Sequence, residues 1–248
     1  MVVAAHPDDE TIGVGGSCRS MREILFLHLT DGAPRDMKDA AANGFSTREA
    51  YAAARRQELQ EALRAGGVAA SAMIALEYAD QEASFHLAEI ARELAHHFRR
   101  VQAEAVLTHP YEGGHPDHDA AAFAVHAAVN LLPAGDRPQI VEFTSYHANA
   151  GTIETGQFLG GPADDETICP LDPEQRTRKE LMLACYRTQS ATLRQFKTGE
   201  ERFRPAPQYN FEAPPHEGPL YYERFPWQMT GPRFRALAHA AKRDLGLC

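Results

Sequence analysis

Two short stretches hold most of the residues in this chain that could do chemistry together. His6-Pro7-Asp8-Asp9-Glu10 places one imidazole and three carboxylates within five residues. Crowded negative charge is costly unless a cation sits among it. Imidazole mixed with carboxylate suits zinc and related first-row metals, whereas magnesium and calcium prefer shells of oxygen alone. Pro7 fixes its own backbone and lacks an N–H donor, so the stretch is expected to be a shaped loop and not the start of a helix. A plainer reading competes: acids favour helix N-termini, and these would cap a helix beginning near Thr11.

The second stretch shifts that balance. Thr108 to Asp119 carries His109, His115 and His118, with Gly113-Gly114 allowing tight backbone geometry between them. His115 and His118 are three apart, so at a helix start both could face one cavity. A catalytic zinc takes three protein ligands and leaves one position for water. Two histidines and one carboxylate would hold it, and a second carboxylate would take the proton of the water. A protonated histidine would steady the oxyanion and protonate the leaving amine. Spacing leaves open which of Asp8 and Asp9 is the ligand, and which of His115 and His118.

The elements that must position these residues can be read from the pattern. Val2 to Ala5, Ile24 to Leu29, Met73 to Leu76, Ala105 to Thr108 and Ile140 to Thr144 are predicted strands. Thr47 to Ala65, His86 to Val101, Asp119 to Leu132 and Glu174 to Cys185 are predicted helices, with Gly66-Gly67 stopping the first. Strand alternating with helix implies an α/β, Rossmann-like three-layer sandwich with a mostly parallel sheet. Such sheets bind ligands beyond the carboxyl ends of their strands, where His6, Asp31 and His109 to His118 all fall. Residues 203–227 are proline-rich and irregular, a packed surface arm or a pocket wall, and a final helix is expected over 232–245. No linker interrupts residues 1–248, so one domain is expected.

Bulk properties narrow the function. The chain has 248 residues, 44% of them hydrophobic and 24% charged, which is ordinary for a globular protein with a core. A formal net charge of −9 argues against a nucleic-acid binder. Cys18, Cys169, Cys185 and Cys248 form no Cys-x-x-Cys pair, so reduced thiols and a cytoplasmic location are expected, with no membrane span and no leader. Gly13-Val14-Gly15-Gly16 lacks the full dinucleotide pattern and follows acids that would repel a pyrophosphate. His96-His97 read as helix surface, His28 as core or support, and Trp227 as a packing anchor or a sugar platform. Asp31 is a candidate outer acceptor for a ligating histidine. Oligomeric state is not legible, and a homo-oligomer stays open.

Ala5-His6-Pro7-Asp8-Asp9-Glu10 together with His115-Pro116-Asp117-His118 resembles the PIG-L/LmbE family of zinc N-acetylglucosaminyl deacetylases. Thr30-Asp31-Gly32-Ala33, Arg55-Arg56-Gln57-Glu58, Thr188-Gln189-Ser190 and Glu223-Arg224-Phe225 resemble further segments of it, so the likeness runs from residue 2 to about 225. The resemblance implies an LmbE-like fold and one zinc per chain, or another divalent first-row metal, held by His6, Asp9 and His118. It implies Asp8 as general base, His115 as electrophile and acid, Asp117 and Asp31 as supports, and Arg55 or Arg56 as the contact to a sugar or its phosphate. Family members often carry a tyrosine just before the second motif's histidine. This chain has Gly113-Gly114 there, and Tyr111 is the candidate substitute. The expected reaction is hydrolysis of an N-acetyl group from an N-acetylglucosamine-type sugar or its conjugate. The alternatives are a metal-dependent amidase or phosphoesterase and a non-catalytic sugar-binding protein.

Overall fold

The computed structural model describes residues 1–21, 23–149, 151–160 and 165–247, without the side chain of residue 70. Cys248 lies outside the described residues. The chain starts at the centre of its sheet. β1 (Val2–Ala4) leads into a short helix α1 (Asp9–Val14), then β2 (Phe26–Pro34), α2 (Lys38–Ala42), α3 (Arg48–Ala65), β3 (Met73–Asp80), α4 (Leu87–Val101), β4 (Ala105–Thr108), α5 (Pro116–Asn130) and β5 (Gln139–Phe143). A hairpin of β6 (Tyr146–Asn149) and β7 (Thr152–Thr155) follows, then β8 (Thr167–Pro170), α6 (Pro173–Cys185), α7 (Ser190–Leu193), β9 (Glu200–Pro205) and α8 (Gly231–Asp244).

Seven strands form one sheet in the order β3-β2-β1-β4-β5-β9-β8. The first five are parallel; β9 runs antiparallel to both β5 and β8. Alternation along the strands divides the core in two, because successive side chains leave opposite faces of a strand. Val3, Leu27, Leu29 and Val106 pack with α4, α5 and α8 on one face. Val2 and Phe26 pack with Leu59 and Leu63 of α3 and Met182 of α6 on the other. The result is the three-layer, mostly parallel α/β sandwich that the pattern predicts.

Local chemistry sets the helix starts. The Thr47 side chain accepts from the Ala50 N–H at 3.2 Å and caps α3. Asp172 and Gln175 form a reciprocal capping box on α6. α5 begins earlier than the predicted Asp119: Pro116 occupies its first turn and His115 is its cap. Proline's fixed φ suits that position, where its missing N–H costs nothing.

Other departures concern strand length. β2 continues through Thr30-Asp31-Gly32, and β3 runs four residues beyond Leu76 to Asp80. Tertiary pairing with β2 extends β3, with irregular register between His28 and Pro34. The proline-rich 203–227 segment is not wholly irregular. It starts inside β9 and includes a 3-10 turn at Tyr221–Arg224. Glu200-Glu201-Arg202-Phe203-Arg204-Pro205 shows little apolar signal. It becomes a strand by antiparallel pairing with β5 and β8, and Arg204 meets buried Glu142 on β5 at 2.7 Å. Among the described residues no helix is long and apolar enough to cross a membrane.

Candidate metal centre and pocket

Strand order reverses at β1: the chain proceeds outward to β2 and β3, then returns to place β4 on the other side. That reversal opens a crevice beyond the carboxyl ends of β1 and β4, where α/β folds place ligands. His6 to Glu10 leave β1 and His109 to His118 leave β4, so both motifs enter the same crevice. α1 begins at Asp9, directly after Asp8. The expectation of a loop and no helix start is therefore corrected. Asp9 and Glu10 stand in a first helical turn, where the helix end favours negative charge.

Asp9 joins the two motifs. Its Oδ2 lies 3.1 Å from His6 Nδ1 and its Oδ1 lies 3.3 Å from His118 Nε2. The outer nitrogens are occupied as well. His6 Nε2 is 3.2 Å from both Asp117 Oδ2 and Asp80 Oδ1, and His118 Nδ1 is 3.4 Å from Ser145 Oγ. Among the described residues three overlapping groups bring ligand atoms close enough to share an ion. They are His6 with His115 and His118; His6 with Asp80, His115 and Asp117; and Asp9 with His109 and His118. Burial opposes charge on His6, but Asp80, Asp117 and Asp9 outweigh it and hold its pKa well above the usual value. Burial and the neighbouring His109 push His118 down to about 4.

Asp8 is pinned in an unusual backbone conformation, with φ of 126°. A non-glycine residue there is strained and persists only when its surroundings impose it. Glu10 Oε2 accepts from the Asp8 N–H at 3.0 Å and also faces His28 Nε2 at 3.0 Å. The other Glu10 oxygen accepts from Thr11 and Tyr186 hydroxyls. Arg55, buried in α3, donates to the Pro7 carbonyl at 2.8 Å and to Asp8 Oδ2 at 3.3 Å. Gly32, at φ of 65°, makes room for it, since a Cβ there would meet the Arg55 guanidinium. Burial pushes the Asp8 carboxyl up to about 7 against the pull of Arg55.

His115 is held by its own backbone role. Its Nδ1 accepts from the Asp117 N–H at 3.1 Å, so the ring proton belongs on Nε2, which lies 3.7 Å from Asp80 Oδ1. Burial and His6 depress its pKa well below the ordinary range. Its Nε2–H thus points toward Asp80, and the lowered pKa works against the protonated form that the motif suggests.

Several predicted residues lie elsewhere. Arg56 pairs with Glu77 on the surface. Asp31 takes Arg48 and the Ala33 N–H and does not contact His6, whose carboxylate neighbours are Asp9, Asp80 and the expected Asp117. Tyr111 is buried among Tyr209, Phe211 and Phe234, and its hydroxyl donates to the Ala213 carbonyl at 3.0 Å, away from the crevice. The tyrosine that meets the histidine cluster is Tyr146, whose ring stands edge-on to His118 at 5.1 Å. Gly114 permits this, because a Cβ there would overlap the Tyr146 carbonyl oxygen.

Sequence reasoning missed Asp80 and gave His109 no task. Asp80 ends β3 at the same sheet edge as the motifs, and that placement was the available signal. His109 Nε2 accepts from the Ala5 N–H at 3.1 Å, and its ring stacks on His118 at 4.0 Å. Trp227, from the proline-rich arm, meets His115 edge-on at 4.7 Å. The arm thus forms a wall of the cavity, of about 590 Å³, that holds the cluster.

Buried imidazoles and carboxylates at a sheet switch point, open to one cavity, define a candidate metallohydrolase centre. The family described as PIG-L: GlcNAc-PI de-N-acetylase matches residues 1–129, and the chain belongs to that family. A probable N-acetyl-alpha-D-glucosaminyl L-malate deacetylase 2 of Bacillus cereus is 29% identical over 166 residues, covering 65% of this chain and 72% of that protein. A second protein of that name, from Bacillus subtilis, is 32% identical over 152 residues, covering 57% and 65%. Among solved structures, a teicoplanin deacetylase in its zinc-inhibited form superposes with a TM-score of 0.64 at 16% identity, covering 82% of this chain and 96% of its own. This structural neighbour shares the LmbE-like fold of the chain.

Proposed function

We propose that the chain is a zinc-dependent deacetylase that removes the acetyl group from an N-acetylglucosamine-type sugar or its conjugate, with His6, Asp9 and His118 holding the metal. The donor types suit such an ion, since imidazole and carboxylate are usual zinc ligands, and Asp9 is the carboxylate that both motifs reach. The two Asp9 oxygens stand 3.1 and 3.3 Å from the nearest nitrogens of His6 and His118. The remaining nitrogen of each histidine already faces an outer partner, as metal-bound imidazoles require. A zinc ion bound there supplies a Lewis acid and lowers the pKa of water.

The rest of the chemistry falls to the side chains. Asp8 takes the proton of the attacking water, and its raised affinity for a proton suits it to carry that proton to the amine as the C–N bond breaks. His115 donates its Nε2 hydrogen to the carbonyl oxygen as charge builds there. Arg55 holds Asp8 in place and does not need to touch the sugar. Water adds across the amide, giving acetate and the free amine. The single observation that carries this reading is the meeting of both motifs on Asp9.

Residues 1–248 act on this reading as one deacetylase domain on a small amino-sugar conjugate, with no nucleic-acid partner. A cytoplasmic setting accords with Cys18, Cys169 and Cys185, which are free thiols. The test is release of acetate and amine from N-acetylglucosamine conjugates, lost with chelator and restored by zinc. Metal-loaded protein that releases phosphate from phosphoesters but no acetate would sink the proposal.

A further inference from the structure

The cavity mouth is made by two chemically different segments, and neither suits an anionic substrate. One is the turn into α2. There Lys38 is already paired with Asp36 at 2.7 Å. Asp39 lines the same space, and among the described residues it has no ion-pair partner. Asp39 is exposed, and partial desolvation followed by the carboxylates of Asp80 and Asp36 raises its pKa in spite of Arg55 and Lys38. Among the described residues Lys38 and Arg55 are the only lysine or arginine side chains lining the cavity, against Asp8, Asp9, Asp36, Asp39 and Asp80. Arg55 is spent on Asp8 and Pro7. A divalent ion would add positive charge deep in the crevice, where Asp9, Asp80 and Asp117 already stand to meet it.

The other segment is the arm. Phe225 stacks on Trp227 with ring centres 4.6 Å apart and planes at 21°, and Tyr221 meets Phe225 edge-on at 5.5 Å. Phe225 keeps 37% of its surface in solvent although it is a large hydrophobic residue. Phe196 and Ile153 continue the apolar lining. Arg224, in the same arm, donates to the Gly151 carbonyl at 2.7 Å and does not line the cavity. An aromatic held open at a pocket rim by stacking is a platform for an apolar ligand face.

We propose that this pocket selects a conjugate whose aglycone is uncharged or cationic and presents an apolar face to Phe225 and Trp227, and that it discriminates against a dianionic aglycone such as malate. The inference rests on the deacetylase reading and narrows its substrate. It departs from the L-malate conjugate named for the Bacillus proteins.

The test compares three N-acetylglucosaminides on the zinc-loaded protein at low ionic strength: the 4-methylphenyl, the 4-(aminomethyl)phenyl and the L-malyl conjugate. Acetate release is read as kcat/KM. Both aryl conjugates should exceed the malyl conjugate by about tenfold or more, and added salt should narrow the gap for the charged members. Asp39→Lys should raise the malyl rate relative to the aryl rates by about fivefold. Phe225→Ala should raise KM for the 4-methylphenyl conjugate by about three- to tenfold, more than for the malyl one. Malyl turnover equal to or above aryl turnover overturns the inference and leaves the deacetylase reading standing. Absence of acetate from all three removes that reading, and the inference with it.

Discussion

The parallel half of the sheet and the arm that follows its antiparallel half treat polar groups in opposite ways. Beyond β1, β3 and β4, imidazoles and carboxylates are buried and locked together, with both nitrogens of His6 and of His118 facing oxygens and His109 and His115 accepting from backbone N–H groups. In the arm, Tyr209, Phe211, Tyr221, Phe225 and Trp227 pack by ring contacts, and hydrogen bonds mainly shape the turns. The difference separates two tasks. Chemistry needs groups fixed to a fraction of an ångström, which a sheet edge and helix starts supply. Recognition of a varied aglycone needs surface and shape, which stacked rings on a loop supply.

Substitutions can break that contrast. The largest effect is expected from His118→Ala, which removes a donor from the proposed metal shell. Bound zinc should be lost and activity should fall by at least about 10³-fold, checked by metal analysis beside an acetate assay. Asp8→Ala should lower kcat by about 10²–10⁴-fold while zinc stays bound. Undiminished turnover in that variant would sink the assignment of the base.

Adjacent arginines give a sharper test. Arg55→Ala leaves the buried Asp8 carboxylate without its cation and should cost about 3 kcal/mol in urea unfolding, together with activity. Arg56→Ala removes an exposed pair with Glu77 and should cost no more than about 0.5 kcal/mol. Equal effects would contradict the placement of Arg55 at the base.

A pH-dependent effect probes where the two regions meet. His126 of α5 lies against Tyr209 and Phe211 of the arm, with ring centres 5.4 and 5.5 Å away. Burial alone pushes its imidazole down to about 4. In the unfolded chain it titrates near 6.5. Its contribution to stability is therefore fully present above about pH 6.5. It is lost as pH falls toward 4, because the unfolded chain takes up a proton that the folded chain refuses. His126→Phe should remove on the order of 2 kcal/mol of acid-dependent destabilisation between those limits, read as a flatter urea midpoint against pH. An unchanged pH profile would mean that His126 is solvated in the folded protein.

How much of this was legible depended on the range of the contacts. The alternation of strands and helices, and the two motifs at strand ends, follow from local periodicity and turn chemistry. They placed His6, Asp8, Asp9, His115 and His118 at one sheet edge before any coordinates. Arg55 and Arg56 are neighbours of the same type, and no local signal separates them. The phase of α3 does, burying one beside Asp8 and leaving the other at Glu77. Asp31 and Asp80 both follow predicted strands, yet only Asp80 reaches His6, because Arg48 claims Asp31. Tyr111 was the tyrosine close in sequence, whereas Tyr146 is the one close in space, brought over Gly114 by the β6–β7 hairpin.

By itself the sequence determined the sandwich, the crevice at the first and fourth strands, and the residue types able to hold a metal and move a proton. Those features depend on spacing within a few residues. Tertiary structure alone decided which ring nitrogen faces which carboxylate, that burial and His6 lower the pKa of His115, and that a proline-rich segment some 110 residues further along the chain forms a wall of the pocket. Such contacts join residues far apart in the chain, and close packing, not local pattern, selects among them.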